Sequence, residues 1–133
     1  MIKIKGGYEK VDLWALSGRL ILAVKEFHKT LDNDMMICIH CGVEGQHSAT
    51  GFHPKGMAID VHFEKFESIV QPAVVIHHLL RYWQGGIGVY TNWNNPGFHL
   101  DVGPIRTWWK NDNSGEVHTL AEYIKQSGLE GYV

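Results

Sequence analysis

The sequence predicts a small α+β domain in which a central, mainly antiparallel sheet is flanked by helices. Two long stretches have apolar residues at helical spacing, four short apolar stretches are typical of strands, and no repeat or linker separates them. The 133 residues are enough for one domain with a real core and too few for two comfortable ones. We therefore expect residues 1–133 to form a single domain.

The helices are predicted from apolar spacing and from the residues at their ends. Asp12 can cap a helix that runs to about Lys29, and Pro72 suits the first turn of a second helix. The buried stripe of that second helix is predicted to consist of Val75, Ile76, Leu79, Leu80 and Trp83. A last helix is predicted to begin at Thr119, where Thr-Leu-Ala-Glu has the capping-box form, and to end near Gly128.

Strands are predicted over residues 35–40, 57–63, 86–90 and 97–102. Alternation in the second strand would place Ala58, Asp60 and His62 on one face, and Ile59 and Val61 on the other. Residues 41–56 are rich in Gly, Ser, Thr and His and should form a long loop. A long loop inside a small domain is more often functional than idle.

Composition limits the partners that we expect. A formal net charge of −2 leaves no basic footprint, so we expect no nucleic-acid partner. No window reaches the roughly 18 apolar residues of a membrane span, and the first residues lack the apolar stretch of a secretory signal. We expect a monomer that is synthesised in the cytoplasm, unless a leader has been removed.

The chain has nine histidines and only two cysteines, Cys38 and Cys41, in a C-x-x-C spacing. The favoured interpretation is that both are plain buried or half-buried thiols, because Cys38 lies in an apolar run and no second pair exists. A structural zinc site that uses these two thiols with His40 and His47 is an alternative, although its ligands would crowd on a short stretch.

Candidate metal ligands come from two segments of the chain. Two imidazoles and one carboxylate, His53, Asp60 and His99, are a usual way to hold zinc while a fourth position stays open for water or substrate. Asp60 lies on a predicted strand, and His53 lies in the loop before it. His99 and Asp101 are two apart on another strand and share a face. If the two strands are neighbours, these four side chains converge.

The segment His53-Pro-Lys-Gly-Met-Ala-Ile-Asp60 resembles the His-x-x-Gly-x-Ala-x-Asp signature of the D-alanyl-D-alanine metallopeptidases. These zinc peptidases cut peptidoglycan stem peptides and share a fold with the hedgehog signalling domain. Residues 85–90 (GGIGVY) and 97–108 (GFHLDVGPIRTW) are similar to the murein endopeptidase K branch. The resemblance covers roughly residues 36–109. It implies a hedgehog/DD-peptidase-like fold and Zn²⁺ bound by His53, Asp60 and His99.

The general base departs from the pattern of that family. Many members have an acidic residue three positions before the second His ligand, where this chain has Pro96. Asp101 is the nearest substitute, and it is either the base or a carboxylate that orients a ligand imidazole. A third option places proton transfer on Glu44 or His47.

The substrate contacts depart as well. Relatives often carry an Arg that holds the substrate carboxylate, and this chain has no Arg between Arg19 and Arg81. That favours an endopeptidase over a carboxypeptidase. Gln46 and His47 are then candidates for neutral hydrogen bonds to substrate. Arg106 would supply either a charge for substrate or a surface salt bridge, and Trp93 would either flank the groove or cover the core.

The resulting hypothesis is a zinc-dependent peptidase that acts on peptidoglycan peptides, of the kind made by bacteria or their phages. Small size and the lack of a visible secretion signal suit an endolysin-like lysis enzyme, which acts at the cell wall after release. The rival hypothesis is a non-catalytic cell-wall-binding module that retains the fold and the metal but has lost the base. The missing acid before His99 and the missing Arg favour that rival.

Overall fold

Strands β1 to β8 form one mixed sheet in the computed structural model, which describes residues 2–4, 11–43, 51–66, 68–90, 97–111 and 116–126. The strands are β1 (Ile2–Ile4), β2 (Met35–Cys41), β3 (Ala58–Lys65), β4 (Ser68–Ile69), β5 (Gly86–Tyr90), β6 (Gly97–Asp101), β7 (Arg106–Asn111) and β8 (Glu116–His118). The helices are α1 (Gly18–His28), α2 (Pro72–Tyr82) and α3 (Leu120–Gln126), together with a 3-10 helix, Leu13–Ala15.

The strand order is β1-β2-β3-β6-β5-β7-β8, and β4 pairs with β3. The pairs β1–β2 and β5–β7 are parallel, and the other pairs are antiparallel. This is the small α+β fold with a mainly antiparallel sheet that the sequence predicts.

No helix within the described ranges has the length and apolarity needed to cross a membrane.

The side chains of strand β3 alternate between an apolar side and a polar side of the sheet. Ile59, Val61 and Phe63 belong to the hydrophobic core, and the Phe63 ring lies 6.2 Å from Phe27 of α1. The alternate residues of the strand are polar, yet they are also buried. These alternate residues are Asp60, His62 and Glu64. We call the side of the sheet that carries them the polar face, since successive strand residues point to opposite sides.

The predicted first helix is wrong at its start. Asp12 accepts a hydrogen bond from Trp14 N at 3.0 Å and caps only the 3-10 helix, after which Leu16 is extended. Helix α1 begins behind Ser17, whose Oγ accepts from Leu20 N at 3.1 Å. Ser is a preferred N-cap, so a second start signal lies inside the apolar pattern. The break also provides a docking point, because Ser17 N donates to Gly56 O at 2.8 Å.

The other helices mostly follow prediction. Pro72 is the first residue of α2, and all but one of its predicted stripe residues are buried. The exception is Leu80, which is 45% exposed because it lies at the edge of the stripe set by Ile76 and Leu79. Thr119 Oγ1 accepts from Glu122 N at 3.2 Å and caps α3. That helix ends at Gln126, and Gly128 lies outside the described residues.

Candidate metal centre

His53, Asp60 and His99 meet on the polar face. Asp60 on β3 and His99 on β6 are direct partners across the antiparallel pair, and His53 comes from the turn that leads into β3. His53 Nε2 lies 3.1 Å from His99 Nδ1 and 3.3 Å from Asp60 Oδ1. His99 Nδ1 lies 3.5 Å from the same carboxylate oxygen. Three donor atoms from three segments therefore surround one point.

These separations fit zinc. Donor atoms that lie about 2.0–2.1 Å from a tetrahedral zinc ion are about 3.3–3.4 Å from each other, which matches the three observed distances. Asp60 Oδ1 is buried and has no hydrogen-bond donor within the described part of the chain. A buried polar atom without a partner is costly and requires an explanation. A cation at this point supplies one, so the residues fit the metal that the resemblance implies.

Both imidazoles are held from behind by an acceptor. His53 Nδ1 lies 2.7 Å from Gly42 O, and His99 Nε2 lies 2.7 Å from Asp101 Oδ2. In a neutral ring each of these nitrogens donates, so the other nitrogen keeps its lone pair and faces Asp60. Such outer hydrogen bonds fix the tautomer and the orientation of a ligand histidine.

Asp101 is fully buried and anchored at several points. Its Oδ1 accepts hydrogen bonds from Gly86 N at 3.1 Å and from Gly103 N at 2.9 Å, while Oδ2 accepts from His99. The carboxylate thus lies behind His99, on the side of the ring opposite to the convergent donor atoms. This geometry favours the orienting role for Asp101 over the role of general base. A Cβ at position 86 would lie 2.2 Å from Asp101 Oδ2, so only glycine fits there.

The charges at the centre support one another. Burial opposes ionisation of Asp60, but His53 and His99 outweigh it and lower the pKa of Asp60 to about 2. Burial likewise disfavours a charged His99, but Asp101 and Asp60 outweigh it and raise its pKa. The pKa of Asp101 is lowered, because hydrogen bonding to His99 exceeds the opposing effect of burial.

Cys41 is a further candidate ligand that the sequence interpretation missed. The register between β2 and β3 shifts by one residue, so that Ile39 pairs with Val61 but Cys41 pairs with Asp60. This β-bulge turns Cys41 onto the polar face, where its sulfur joins His53 and Asp60 in a group of donor atoms within 4.8 Å of one another. Simple alternation along the strand would have placed Cys41 on the opposite face from Cys38. Both thiols are buried and form no disulfide.

The predicted substrate contacts are only partly described. Gln46, His47 and Trp93 lie outside the described residues, as does Glu44. Arg106 is half-exposed beside the centre, with its guanidinium 3.8 Å from Asp101 Oδ2 and 5.5 Å from the centre of the Phe52 ring. Arg106 is therefore near enough to the centre to contact a substrate. It also forms an ion pair with Asp101, as the alternative interpretation of Arg106 as a salt-bridge residue expects.

Trp108 covers His99 on the polar face. Its ring centre lies 5.2 Å from that of His99, and a Cβ at Gly88 would lie 2.2 Å from the Trp108 ring. The glycine in the GGIGVY stretch therefore makes room for an indole that shields a candidate ligand. The structure gives this glycine a packing role that spacing alone did not indicate.

No protein-family model, curated protein or solved structure matches the chain. What the structure establishes is coarser than the resemblance: buried Cys, His and Asp side chains converge in a group that can hold a metal ion. The relationship to the D-alanyl-D-alanine metallopeptidases remains a resemblance carried by the motifs of residues 53–60 and 97–108.

Proposed function

We propose that this chain is a zinc-dependent peptidase that hydrolyses peptide bonds of bacterial peptidoglycan. The observation that carries the metal part is the meeting of His53 Nε2, His99 Nδ1 and Asp60 Oδ1, with separations of 3.1–3.5 Å. The substrate class rests on the resemblance of the motifs to the D-alanyl-D-alanine metallopeptidases. Two imidazoles and one carboxylate are a usual donor set for a catalytic zinc site.

Each residue of the centre has a defined task in this proposal. His53 and His99 present lone pairs because Gly42 O and Asp101 hold their other nitrogens. Asp60, whose pKa is lowered to about 2 in the metal-free protein, contributes the negative charge. A bound zinc ion would supply Lewis-acid activation of water and of the scissile carbonyl.

Asp101 acts as a positioning residue in this proposal, and the base comes from elsewhere. Its carboxylate already accepts three hydrogen bonds, from His99, Gly86 and Gly103. We therefore assign proton transfer to Glu44 or His47, the other two candidates for the base. Both precede His53 in the loop that the sequence predicts over residues 41–56.

An endopeptidase fits better than a carboxypeptidase. Among the described residues, Arg106 is a cation beside the centre, but it is half-exposed and already lies 3.8 Å from Asp101. Members of the family that the motifs resemble often hold the substrate carboxylate with an Arg, and this chain has no Arg between Arg19 and Arg81. Recognition of a longer stem or cross-bridge needs no such residue. We favour a role as a lysis enzyme of a phage or prophage.

A second candidate function is a non-catalytic cell-wall-binding module. The observation that favours it is the position of Cys41, whose sulfur belongs to the same group as His53 and Asp60. A thiolate as fourth ligand would close the site, and closed four-ligand sites are typical of structural zinc.

Digestion of purified peptidoglycan separates the two candidates. The protein is incubated with cell wall, with and without a chelator, and released fragments are analysed by mass spectrometry for new amino termini. The peptidase proposal expects new amino termini that disappear with chelator and in His99→Ala, and persist in the exposed control His77→Ala. Wall binding without new termini at any zinc concentration would contradict it and favour the module.

A further inference from the structure

A second cluster of donor side chains lies farther along the polar face. On β3, His62 and Glu64 follow Asp60 at alternate positions, and on β2 Cys38 is the direct partner of His62. His40, the extra residue of the bulge, also contacts His62. We call Cys38, His40, His62 and Glu64 the second cluster. It shares no residue with the candidate metal centre.

The contacts within the second cluster centre on His62. His62 Nδ1 faces His40 Nε2, and His62 Nε2 lies 2.9 Å from Glu64 Oε1. Cys38, His62 and Glu64 each place one donor atom within 4.8 Å of the other two. Cys38 is 0%, His62 1% and Glu64 6% exposed, so this is a buried group rather than a solvated surface patch.

We propose that the second cluster binds a divalent transition-metal ion, of which zinc is the expected one. A thiol, two imidazoles and a carboxylate form a mixed S, N and O donor set that suits zinc and related metals rather than Mg²⁺ or Ca²⁺. Burying such groups is favourable only when they are paired or bind a metal. The donor atoms of Cys38, His62 and Glu64 are already gathered. His40 faces the other ring nitrogen of His62 and would complete the set after rotation of the side chains.

The second metal is separate from the first and does not form a catalytic pair with it. Asp60 and His62 are two residues apart on one strand, which corresponds to about 6.6 Å along the strand. Co-catalytic metals lie about 3.5–4 Å apart. Four protein donors also leave no position for substrate. The second metal therefore joins β2 to β3 and stabilises the sheet beneath the candidate centre, whether or not the chain is a peptidase.

Metal stoichiometry tests the proposal. Metal-free protein is titrated with Zn²⁺, and bound zinc is measured by native mass spectrometry in the wild type, His40→Ala, Cys38→Ser, His53→Ala and the exposed control His77→Ala. His40 is only half-buried, so His40→Ala remains informative if Cys38→Ser fails to fold. We expect two zinc ions in wild type and control, and one in each other variant.

Cobalt substitution identifies the thiol. Co²⁺ bound by a thiolate gives a charge-transfer absorption, which we expect to be lost from the second cluster in Cys38→Ser. In His53→Ala, which lacks the first site, the unfolding temperature is expected to rise when the one remaining zinc ion binds.

The proposal is overturned if the wild type binds one zinc ion and His53→Ala binds none. It is also overturned if His40→Ala and Cys38→Ser both retain two ions, or if the cobalt band depends on Cys41 and not on Cys38. None of these readouts uses peptidase activity. A chain that binds two metals but cleaves no cell wall would contradict the proposed function and leave this inference standing.

Discussion

The candidate centre and the second cluster are built around the same short unit on different strands. On β6, His99 is followed two residues later by Asp101, and on β3 His62 is followed two residues later by Glu64. In each unit the carboxylate lies close to the imidazole, at 2.7 Å in the first and 2.9 Å in the second. Side chains two apart on a strand share a face, which brings the two groups together without help from the rest of the fold.

The clusters differ in where their remaining donors come from. The second cluster draws on adjacent positions of β2 and β3 only. The candidate centre needs a turn, β3 and β6, and it contains the buried Asp60 Oδ1 that accepts no hydrogen bond within the described residues. Three protein donors leave a fourth position on zinc open for water or substrate, whereas the second cluster offers four donors. This difference is why we assign chemistry to the first and a structural role to the second.

The largest effect is expected from removing a ligand of the candidate centre. His53→Ala should lose one zinc ion and all cell-wall hydrolysis, a greater loss than the roughly 10–100-fold typical of outer hydrogen-bonding partners. His40→Ala, in the second cluster, should keep hydrolysis. Metal content and fragment release are measured on the same samples. If His53→Ala loses the zinc ion of the candidate centre but still hydrolyses cell wall, the distinction between the two clusters is wrong.

A smaller effect is expected from the carboxylate behind His99. Asp101→Asn should weaken the zinc affinity of the candidate centre by about 10–100-fold. The neutral amide is a weaker acceptor than the carboxylate, so it holds the Nε2–H tautomer of His99 less well. Excess zinc should largely restore hydrolysis. Competition with a chromophoric chelator gives the affinity, and Glu64→Gln is the matched change in the second cluster. If saturating zinc leaves Asp101→Asn inactive, Asp101 is the base after all.

Proton competition sharpens the comparison further. Zinc binds only the neutral form of His99, and the pKa of His99 is raised. Below that pKa, the zinc affinity should therefore fall about tenfold per pH unit for each competing proton. Without metal the sign is opposite. The raised pKa of His99 stabilises the fold fully below about 6.5, and this stabilisation is lost as the pH rises through the folded-state value.

Urea unfolding at several pH values, with and without zinc, measures both trends. Asp60 adds a separate term in acid, because its stabilisation is present above a pH of about 3.8 and is lost as the pH falls toward 2. Parallel pH trends in the loaded and metal-free proteins would show that His99 is not a ligand.

The smallest effect is expected at the glycine beneath Asp101. Gly86→Ala should destabilise the protein by about 1–3 kcal/mol, because its Cβ would overlap the Asp101 carboxylate at 2.2 Å. Gly18→Ala is the matched control: nothing lies within 4 Å of its Cβ in α1, and a gain of about 0.4–1 kcal/mol is expected. Urea unfolding measures both. Equal stabilities for the two variants would show that the Asp101 carboxylate tolerates displacement.

Much of the candidate centre was predictable because its signals are local. Alternation in residues 57–63 was sufficient to put Asp60 and His62 on one face and the apolar residues on the other. The start of α2 at Pro72 and the cap at Thr119 follow from side chains next to the helix ends. The motifs of residues 53–60 and 97–108 also predicted His53, Asp60 and His99 as one set of ligands, and the structure brings these three side chains together.

Tertiary structure alone decided the role of three other features. The bulge after Ile39 brings Cys41 to Asp60, the bond from Ser17 N to Gly56 O ties the start of α1 to the turn before β3, and the anchoring of Asp101 by Gly86 and Gly103 points it behind His99. Periodicity reports how neighbours within one element are oriented. Register shifts, docked turns and the direction of a buried carboxylate depend on contacts between residues far apart in the chain, and those contacts exist only once the sheet has formed.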